Sequence, residues 1–433
     1  MIFVLNKNKN ETITMKLTNL NFILLFLLMT STHKTSATNL ENKIANALKF
    51  AEIQLDKHAQ RKSPNRYTCY TNLDGKWRST GMETWCSGFP GGLMWMMYDH
   101  TKERKWANYA REWTSSVRAR ATATDQDTSF QIYNSFGYGL RYGSDLLSDA
   151  EVRDYESVLR WATNTFTTQR YNTHVGGFRT WPALSFDPYN GVWEINSDMI
   201  MNLELPLWVA TNTNDLNLRD KISRHEELMW KNTVYKEGDT QWISPENEKF
   251  VLREIGSHYH VVGYDPRMGV VTHKRTEQGD KTESTWSRGQ SWLVYGYPML
   301  YRYTGYPKYL ERAEVVFDYY MKALKAQSKN AIPYSDFDAL VDDQNPLDTA
   351  AAAIVASASI ELYQLTGQKK YLEAAEWMLN ELTSEPYLAT NTAYESILTR
   401  GSHSYHQHYE AGTLFGDFFF VEAMLRYLQL KNK

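Results

Sequence analysis

Little in this chain is set aside for cross-links, cationic partners or membranes. Of 433 residues only two are cysteines, Cys69 and Cys86, too few for a thiolate metal site. They either bridge a short loop, as an oxidising compartment permits, or stand as separate thiols with Cys86 buried near Trp85. Basic and acidic residues nearly cancel, 47 against 50, for a net charge of -3. With no block of Lys or Arg, nucleic acid is excluded as a partner. The apolar run Phe22 to Met29 is too short to cross a bilayer. There is no Gly-x-Ser-x-Gly elbow, no phosphate loop and no dinucleotide fingerprint. These absences leave little support for a serine hydrolase of that type, a nucleotidase or a dinucleotide-dependent enzyme.

Aromatic residues, by contrast, are abundant, with 14 Trp, 29 Tyr and 17 Phe. They fit a large aromatic core or a carbohydrate site in which rings stack on the apolar faces of sugars. The N-terminus has the pattern of an export signal. Met15-Lys16 opens a basic region, Phe22 to Met29 is the apolar core, and Thr35-Ser36-Ala37 offers a small-residue cleavage site. Residues 1–37 are therefore expected to be a signal peptide, with Met15 a candidate true start because 1–14 is polar. No cysteine follows the apolar core to carry a lipid anchor. The expectation is an exported, periplasmic protein that has no membrane partner once the signal is removed.

From residue 39 onward the pattern is helical. Leu40, Ile44, Leu48, Ala51 and Leu55 share one face of a helix over Asn39 to His58. A repeat follows. Tyr301-Arg-Tyr-Thr304-Gly305 precedes Lys308-Tyr309-Leu310, and Tyr363-Gln-Leu-Thr366-Gly367 precedes Lys370-Tyr371-Leu372, 62 residues on. Tyr98 to Thr101, with Lys105-Trp106 after it, is a looser copy. Each is a helix, a tight turn and a second amphipathic helix. About six such hairpins fit between Asn39 and Lys433, either closed into a ring around a cavity or stacked as an open superhelix. Residues 236–281 break the pattern and are expected to form a long loop with a short β hairpin over one mouth. No linker composition divides 38–433, so one domain is expected.

Several residues can carry chemistry. Asp198 stands before the apolar run Met199 to Leu203, where desolvation would raise its pKa toward that of a general acid. Asn202, four residues on, shares its helix face. The alternative is that Asp198 merely caps this helix. Asp127, before a helix over Gln131 to Arg141, is a candidate second carboxylate with the same alternative. His258, His260 and His273 fit no compact metal-ligand spacing, so no metal is expected. Thr285 to Gly305 packs Arg288, Gln290, Trp286 and Trp292 into a few residues. Aromatic faces beside a guanidinium fork suit a sugar that carries a carboxylate.

The last stretch closely resembles a signature of the unsaturated glucuronyl hydrolases, glycoside hydrolase family 88. Trp85-Cys-Ser-Gly-Phe-Pro-Gly-Gly, Gln126-Asp127-Thr-Ser-Phe130, Asp198 to Leu203, Gln278-Gly279, Pro333 to Asp338 and Phe415-Gly-Asp417 follow in family order. The resemblance implies an all-α (α/α)6 barrel and removal of a 4,5-unsaturated uronic acid from the non-reducing end of lyase-made oligosaccharides, without a cofactor. It implies that Asp198 protonates C4 of the vinyl ether and activates water for C5, and that Asp127 tunes it and holds ring hydroxyls. Arg288 and Gln278 would grip the uronate, Trp85 and Trp292 would pack on the ring, and His260, His403 and Ser404 would contact substrate.

Departures from the family pattern bear on the substrate. Gln126 replaces a histidine, Ser335 a tryptophan and Leu347 an arginine. The stretch Ser404-Tyr-His-Gln407-His-Tyr409 lacks one serine and the lysine of a 6-sulphate pocket. These changes favour sulphated glucuronyl-rhamnose fragments of the algal polysaccharide ulvan over glycosaminoglycan disaccharides. Unsaturated rhamnogalacturonyl hydrolysis and a non-catalytic sugar-binding protein on the same barrel are the competing expectations.

Overall fold

Two kinds of helix alternate along the chain, one apolar on a single stripe and one apolar nearly all round, which places the second kind inside the first. The computed structural model describes residues 39–62, 66–181, 191–239, 253–342, 344–407 and 410–432. The expected signal segment lies outside them.

The striped helix α1 (39–59) buries Leu40, Ile44, Leu48, Ala51 and Leu55, as its spacing predicts. A ribbon of β1 (Tyr67–Thr71) and β2 (Trp77–Thr80) follows, then a 3-10 turn, Trp85–Gly88, that runs into α2 (Phe89–Thr101). After the outer helix α3 (Arg104–Ser116), the inner position is filled by α4 (Thr128–Ile132), a π turn over Tyr133–Gly137 and α5 (Tyr138–Tyr142). Outer α6 (Asp149–Arg170) leads through the short ribbon β3 (Tyr171–Asn172) and β4 (Gly177–Phe178) to β5 (Trp193–Asn196) and inner α7 (Met199–Asn202) and α8 (Glu204–Thr213). Outer α9 (Leu216–Asn232) precedes the hairpin β6 (Val261–Tyr264) and β7 (Val271–Arg275). The remainder alternates strictly: inner α10 (Ser287–Thr304), outer α11 (Lys308–Gln327), inner α12 (Thr349–Thr366), outer α13 (Lys369–Leu382) and inner α14 (Leu414–Lys431).

Among the described residues this makes six inner and six outer helical positions, and the ring closes. Phe418 on α14 packs on Phe89 of α2 at 4.9 Å between ring centroids. Lys43 on α1 donates to Asn380 of α13 at 2.8 Å. The architecture is an (α/α)6 barrel, and the open superhelix is excluded by these contacts between the two ends of the chain. The repeated turns share one device. Gly305 and Gly367 stand at φ +70° and +69° after α10 and α12, the left-handed cap that favours glycine. Lys102 takes the same conformation after α2 at φ +56°.

The expected β hairpin in 236–281 is present as β6 and β7, and residues 240–252 of that segment lie outside the described ones. The sequence reading missed β5, which pairs antiparallel with β6, with Asn196 opposite Val261. It also expected one helix over 131–141, where a π turn intervenes. Toward the C-terminal ends of the inner helices the barrel holds a buried ionic knot. Glu422 accepts from Ser357 (2.7 Å), Tyr138 (2.8 Å) and Arg426 (3.2 Å), and Arg426 also pairs with Glu361 at 2.8 Å. Such charges are tolerated in a core only when each is paired.

Candidate active site

The other end of the barrel, where the inner helices begin, opens into a cavity of about 260 Å3. Its walls come from residues at or just before inner-helix starts: Trp85, Asp127, Asp198, Trp286, Arg288 and Trp292. Helix α10, whose first turns supply Arg288 and Trp292, thus points its partially positive end toward it, which favours an anionic guest.

Sheet register places the central pair. Strands β5 and β6 are paired through Asn196 and Val261, and Ser197 donates to the His260 carbonyl at 2.9 Å. This sets Asp198 and His260 side by side, with Nε2 of His260 3.1 Å from Oδ2 of Asp198. The backbone N–H of Glu277 points at His260 Nδ1 from 3.2 Å. A backbone N–H can only donate, so Nδ1 accepts and the ring proton sits on Nε2, donated to Asp198. The close approach of this segment to α10 needs Gly289, where a Cβ would meet His258 Nε2 at 2.6 Å and Ser197 Oγ at 2.8 Å.

The capping alternatives fail at both aspartates. Asp198 makes no side-chain cap bond; Asn196 Oδ1 takes the Met199 N–H at 3.2 Å instead. At α4 the turn is served by Asp125, whose Oδ1 accepts the Asp127 N–H at 3.1 Å. Both carboxylates are therefore free to face the cavity.

Two expectations about them need correction. Met199, Ile200 and Met201 turn into the protein core, while the Asp198 side chain keeps 14% of its surface exposed, so the apolar run does not bury it. The carboxylate that burial lifts is Asp127, pushed up to about 7 by desolvation, then by Asp125 and by Asp198. Asn202 does not orient Asp198 either. Its Nδ2 donates to Asp127 Oδ1 at 3.2 Å, because α7 is short and turns Asn202 toward α4.

Arg288 lines the cavity but is not a free fork. It is 1% exposed and lies between the rings of Trp286 (4.7 Å) and Phe415 (4.8 Å). Its Nη1 donates to Asp348 Oδ2 at 2.6 Å and to the Ser402 carbonyl, and its Nη2 donates to the His403 carbonyl at 2.6 Å. A guest carboxylate would meet a cation with three of its four terminal N–H groups engaged and its charge offset by Asp348. Gln278, Trp85 and Trp292 line the cavity as expected. His403 lines it too, its imidazole held down to about 4 by burial and by Arg288. It is neutral near neutrality, with Nδ1 unpartnered. Ser404 is not among the lining residues, and its hydroxyl accepts the Gln407 N–H of its own turn at 3.2 Å.

Sequence reasoning missed Tyr70, Trp181 and Glu277, which also line the cavity. Trp181 and Tyr70 stand outside any motif, Tyr70 on strand β1 and Trp181 on the loop after β4; Glu277 had a signal in its neighbour Gln278. Gln126, noted only as a departure, is buried in the wall with Oε1 unpartnered. The three histidines part company: His258 bonds Gln290 at 2.8 Å, His273 bonds Glu194 at 3.0 Å and His260 bonds Asp198. Among the described residues no group of three or more His, Cys, Asp or Glu side chains converges as a metal site, and no helix is long and apolar enough to cross a membrane. Cys69 and Cys86 are bridged, with Cα atoms 5.4 Å apart.

A cavity at one mouth of an (α/α)6 barrel, walled by aromatic rings around two carboxylates, is the site of a glycosidase. The Glycosyl Hydrolase Family 88 profile matches residues 49–413, and the chain belongs to that family. It is 34% identical over 348 residues to the unsaturated glucuronyl hydrolase of Formosa agariphila, covering 79% of each chain. It is 24% identical over 404 residues to the enzyme of the same name from Bacillus sp. strain GL1, covering 89% of this chain and 96% of that one. The crystal structure of an unsaturated glucuronyl hydrolase specific for heparin superposes with a TM-score of 0.79 at 28% identity, over 91% of this chain and 99% of the other.

Proposed function

We propose that this protein removes a 4,5-unsaturated uronic acid from the non-reducing end of oligosaccharides made by polysaccharide lyases. The observation that carries the reading is the Asp198–His260 contact facing Asp127 within one aromatic cup. Burial, then Asp125 and Asp198, push the Asp127 carboxyl up to about 7, so below that pH it holds a proton inside the cup. Asp198 in its acid form gives a proton to C4 of the vinyl ether. Water then adds at C5, giving up its proton to the Asp198 carboxylate, and the hemiketal opens to release the remaining sugar. The His260 Nε2–H stabilises Asp198 when it is ionised and holds its orientation. Trp85, Trp181 and Trp292 offer ring faces to the sugar, and Gln126 and His403 line the cup beside them.

For the substrate we propose sulphated glucuronyl-rhamnose fragments of ulvan. The sequence around Ser404 supports this, since one serine and the lysine of the 6-sulphate pocket are missing. Export is part of the same proposal: polymer fragments arise outside the cytoplasm, the N-terminal pattern fits a signal, and the Cys69–Cys86 bridge suits an oxidising compartment.

The ultraviolet absorbance of the unsaturated uronate, followed on lyase digests of ulvan, chondroitin, heparin and pectin, tests both claims. Hydration of the double bond abolishes the absorbance. Asp198→Asn should slow its loss by roughly 10²-fold or more, the scale of a missing general acid. An unchanged rate in that variant removes Asp198 from its role, and a faster loss on chondroitin than on ulvan fragments removes the substrate assignment.

A further inference from the structure

The cavity has one wall that is covalently tied, and the tie falls beside the two residues that form it. Cys69 is the third residue of β1 and Cys86 the second of the 3-10 turn before α2. Tyr70 and Trp85, each next in sequence to a half-cystine, both line the cavity. Alternation along the strand turns Cys69 inward and Tyr70 to the cavity side. Cys69 is buried and Tyr70 half-buried, as are Cys86 and Trp85 across the bridge. The two rings meet a common neighbour, Phe415, at 5.7 Å from Tyr70 and 4.9 Å from Trp85. Tyr70 also lies edge-on to His403 at 5.0 Å. The Tyr70 phenol feels Arg288 and Asp127 as well, so this wall reaches both the cation and the second carboxylate.

The two halves of the wall have different parents. Trp85 belongs to the start of α2, fixed in the barrel by Gln131, whose Nε2 donates to the Thr84 carbonyl at 3.0 Å. Tyr70 belongs to a two-stranded ribbon outside the helical ring, and such a ribbon is marginal without support. Beside the bridge, Tyr67 Oη donates to Ser116 Oγ at 2.8 Å, the Trp77 backbone and indole N–H groups donate to Glu395 at 2.9 and 3.1 Å, and Thr71 N–H donates to the Gly412 carbonyl at 2.9 Å; none of these bonds reaches the turn that carries Trp85.

We propose that the Cys69–Cys86 disulfide is a positioning device for the sugar subsite: it holds Tyr70 and Trp85 in one wall, and so sets substrate affinity without taking part in the proton transfers. This rests on the reading of the cavity given above. When the bridge is opened, the Sγ–Sγ bond takes up two electrons and two protons and becomes two thiols. A phosphine reductant supplies the electrons and is oxidised to its oxide with oxygen from water. The covalent tie between the strand of Tyr70 and the turn of Trp85 is then gone, and ordering the two rings again on binding costs affinity.

The test is steady-state kinetics of Cys69→Ala/Cys86→Ala on the preferred lyase digest, well below the melting temperature. KM should rise about tenfold, the scale of re-ordering two large side chains, with kcat within about twofold. A lower Tm with unchanged KM would mean that the bridge serves stability alone and overturns the proposal. In a Tyr70→Ala/Trp85→Ala background, cutting the bridge should leave KM where it was; a further tenfold rise overturns the route through these rings. If the double alanine variant does not fold, wild type reduced with phosphine at sub-denaturing urea, alkylated and sorted by mass, gives the same comparison. Inactive oxidised wild type on every digest refutes the functional reading, whereas an active wild type matched by the bridge-less enzyme refutes only this inference.

Discussion

Replacing Asp348 with asparagine separates a structural Arg288 from a free uronate clamp. Arg288 and Asp348 are 2% and 0% exposed and 2.6 Å apart. Asparagine retains an oxygen for the Ala350 N–H, which Asp348 accepts at 3.1 Å. It then turns its amide donors toward the Arg288 Nη1 donor. The guanidinium would remain buried between two rings with its counter-charge gone. Breaking a buried pair on one side costs about 3–5 kcal/mol. Burial outweighs Arg288 in holding the Asp348 carboxyl above its ordinary range, so the pair is incompletely compensated and the loss belongs at the lower end. At ~2.1 cal/mol/K per residue, the 433-residue chain has an unfolding entropy of about 0.9 kcal/mol/K, so 3 kcal/mol lowers Tm by roughly 3 °C. Calorimetry of Asp348→Asn beside wild type reads this directly. Arg288→Lys should fall at least as far, because an ammonium cannot reach Asp348 and two carbonyls from one plane. If Asp348→Asn melts within 1 °C of wild type while KM changes severalfold, Arg288 is a solvated ligand-binding cation and the structural assignment made here is wrong.

Three further outcomes follow from the geometry. Asp127 has a folded pKa of about 7, above its unfolded value, so the stability and activity that depend on its proton are present at acid pH and lost as pH rises through 7. The pH–rate profile should show an alkaline limb near 7, and in Asp127→Asn the fall in Tm between about pH 4 and 7, the interval between the unfolded and folded values, should shrink; an equal fall in both proteins would count against it. Gln290 is fully buried and ties α10 to the Gly256 carbonyl (2.8 Å), the Val316 carbonyl (3.0 Å) and His258 (2.8 Å). Gln290→Leu leaves the Gly256 carbonyl and His258 Nδ1 unpaired, while the Val316 carbonyl keeps its partner within α11, and should cost about 2–4 kcal/mol, seen as a lower urea midpoint, with a shift too small to measure as the contrary result. Trp181→Ala should raise KM severalfold and leave kcat and Tm nearly as they were, since the ring lines the cavity but is only half-buried; a matching drop in kcat would place it in the chemistry.

What the sequence disclosed, and what it hid, divides along the range of the forces involved. Helix pairing was legible because it is local: a stripe of apolar residues, a Thr-Gly turn and a second stripe encode one hairpin, and Gly305 and Gly367 take the left-handed conformation that such turns require. The aspartates were legible through motifs, yet their electrostatics were not. The apolar letters after Asp198 suggested desolvation, but side chains on a helix point in different directions, and Met199 to Met201 face the core while Asp198 faces the cavity. Asp127 acquires its elevated pKa first from burial in the closed barrel, then from Asp125, two residues away, and from Asp198, which only ring closure brings near. Arg288 was recognisable as a site residue, but its partners Asp348, Ser402 and His403 lie 60 to 115 residues along the chain, so its engagement could not be foreseen. Tyr70 and Trp181 carry no local signature at all, since an aromatic residue on a short strand or in a loop becomes a wall only when a distant segment seats it. Residues whose role follows from neighbours within a few positions can be assigned from sequence, whereas a charge state or a wall is a property of the closed barrel.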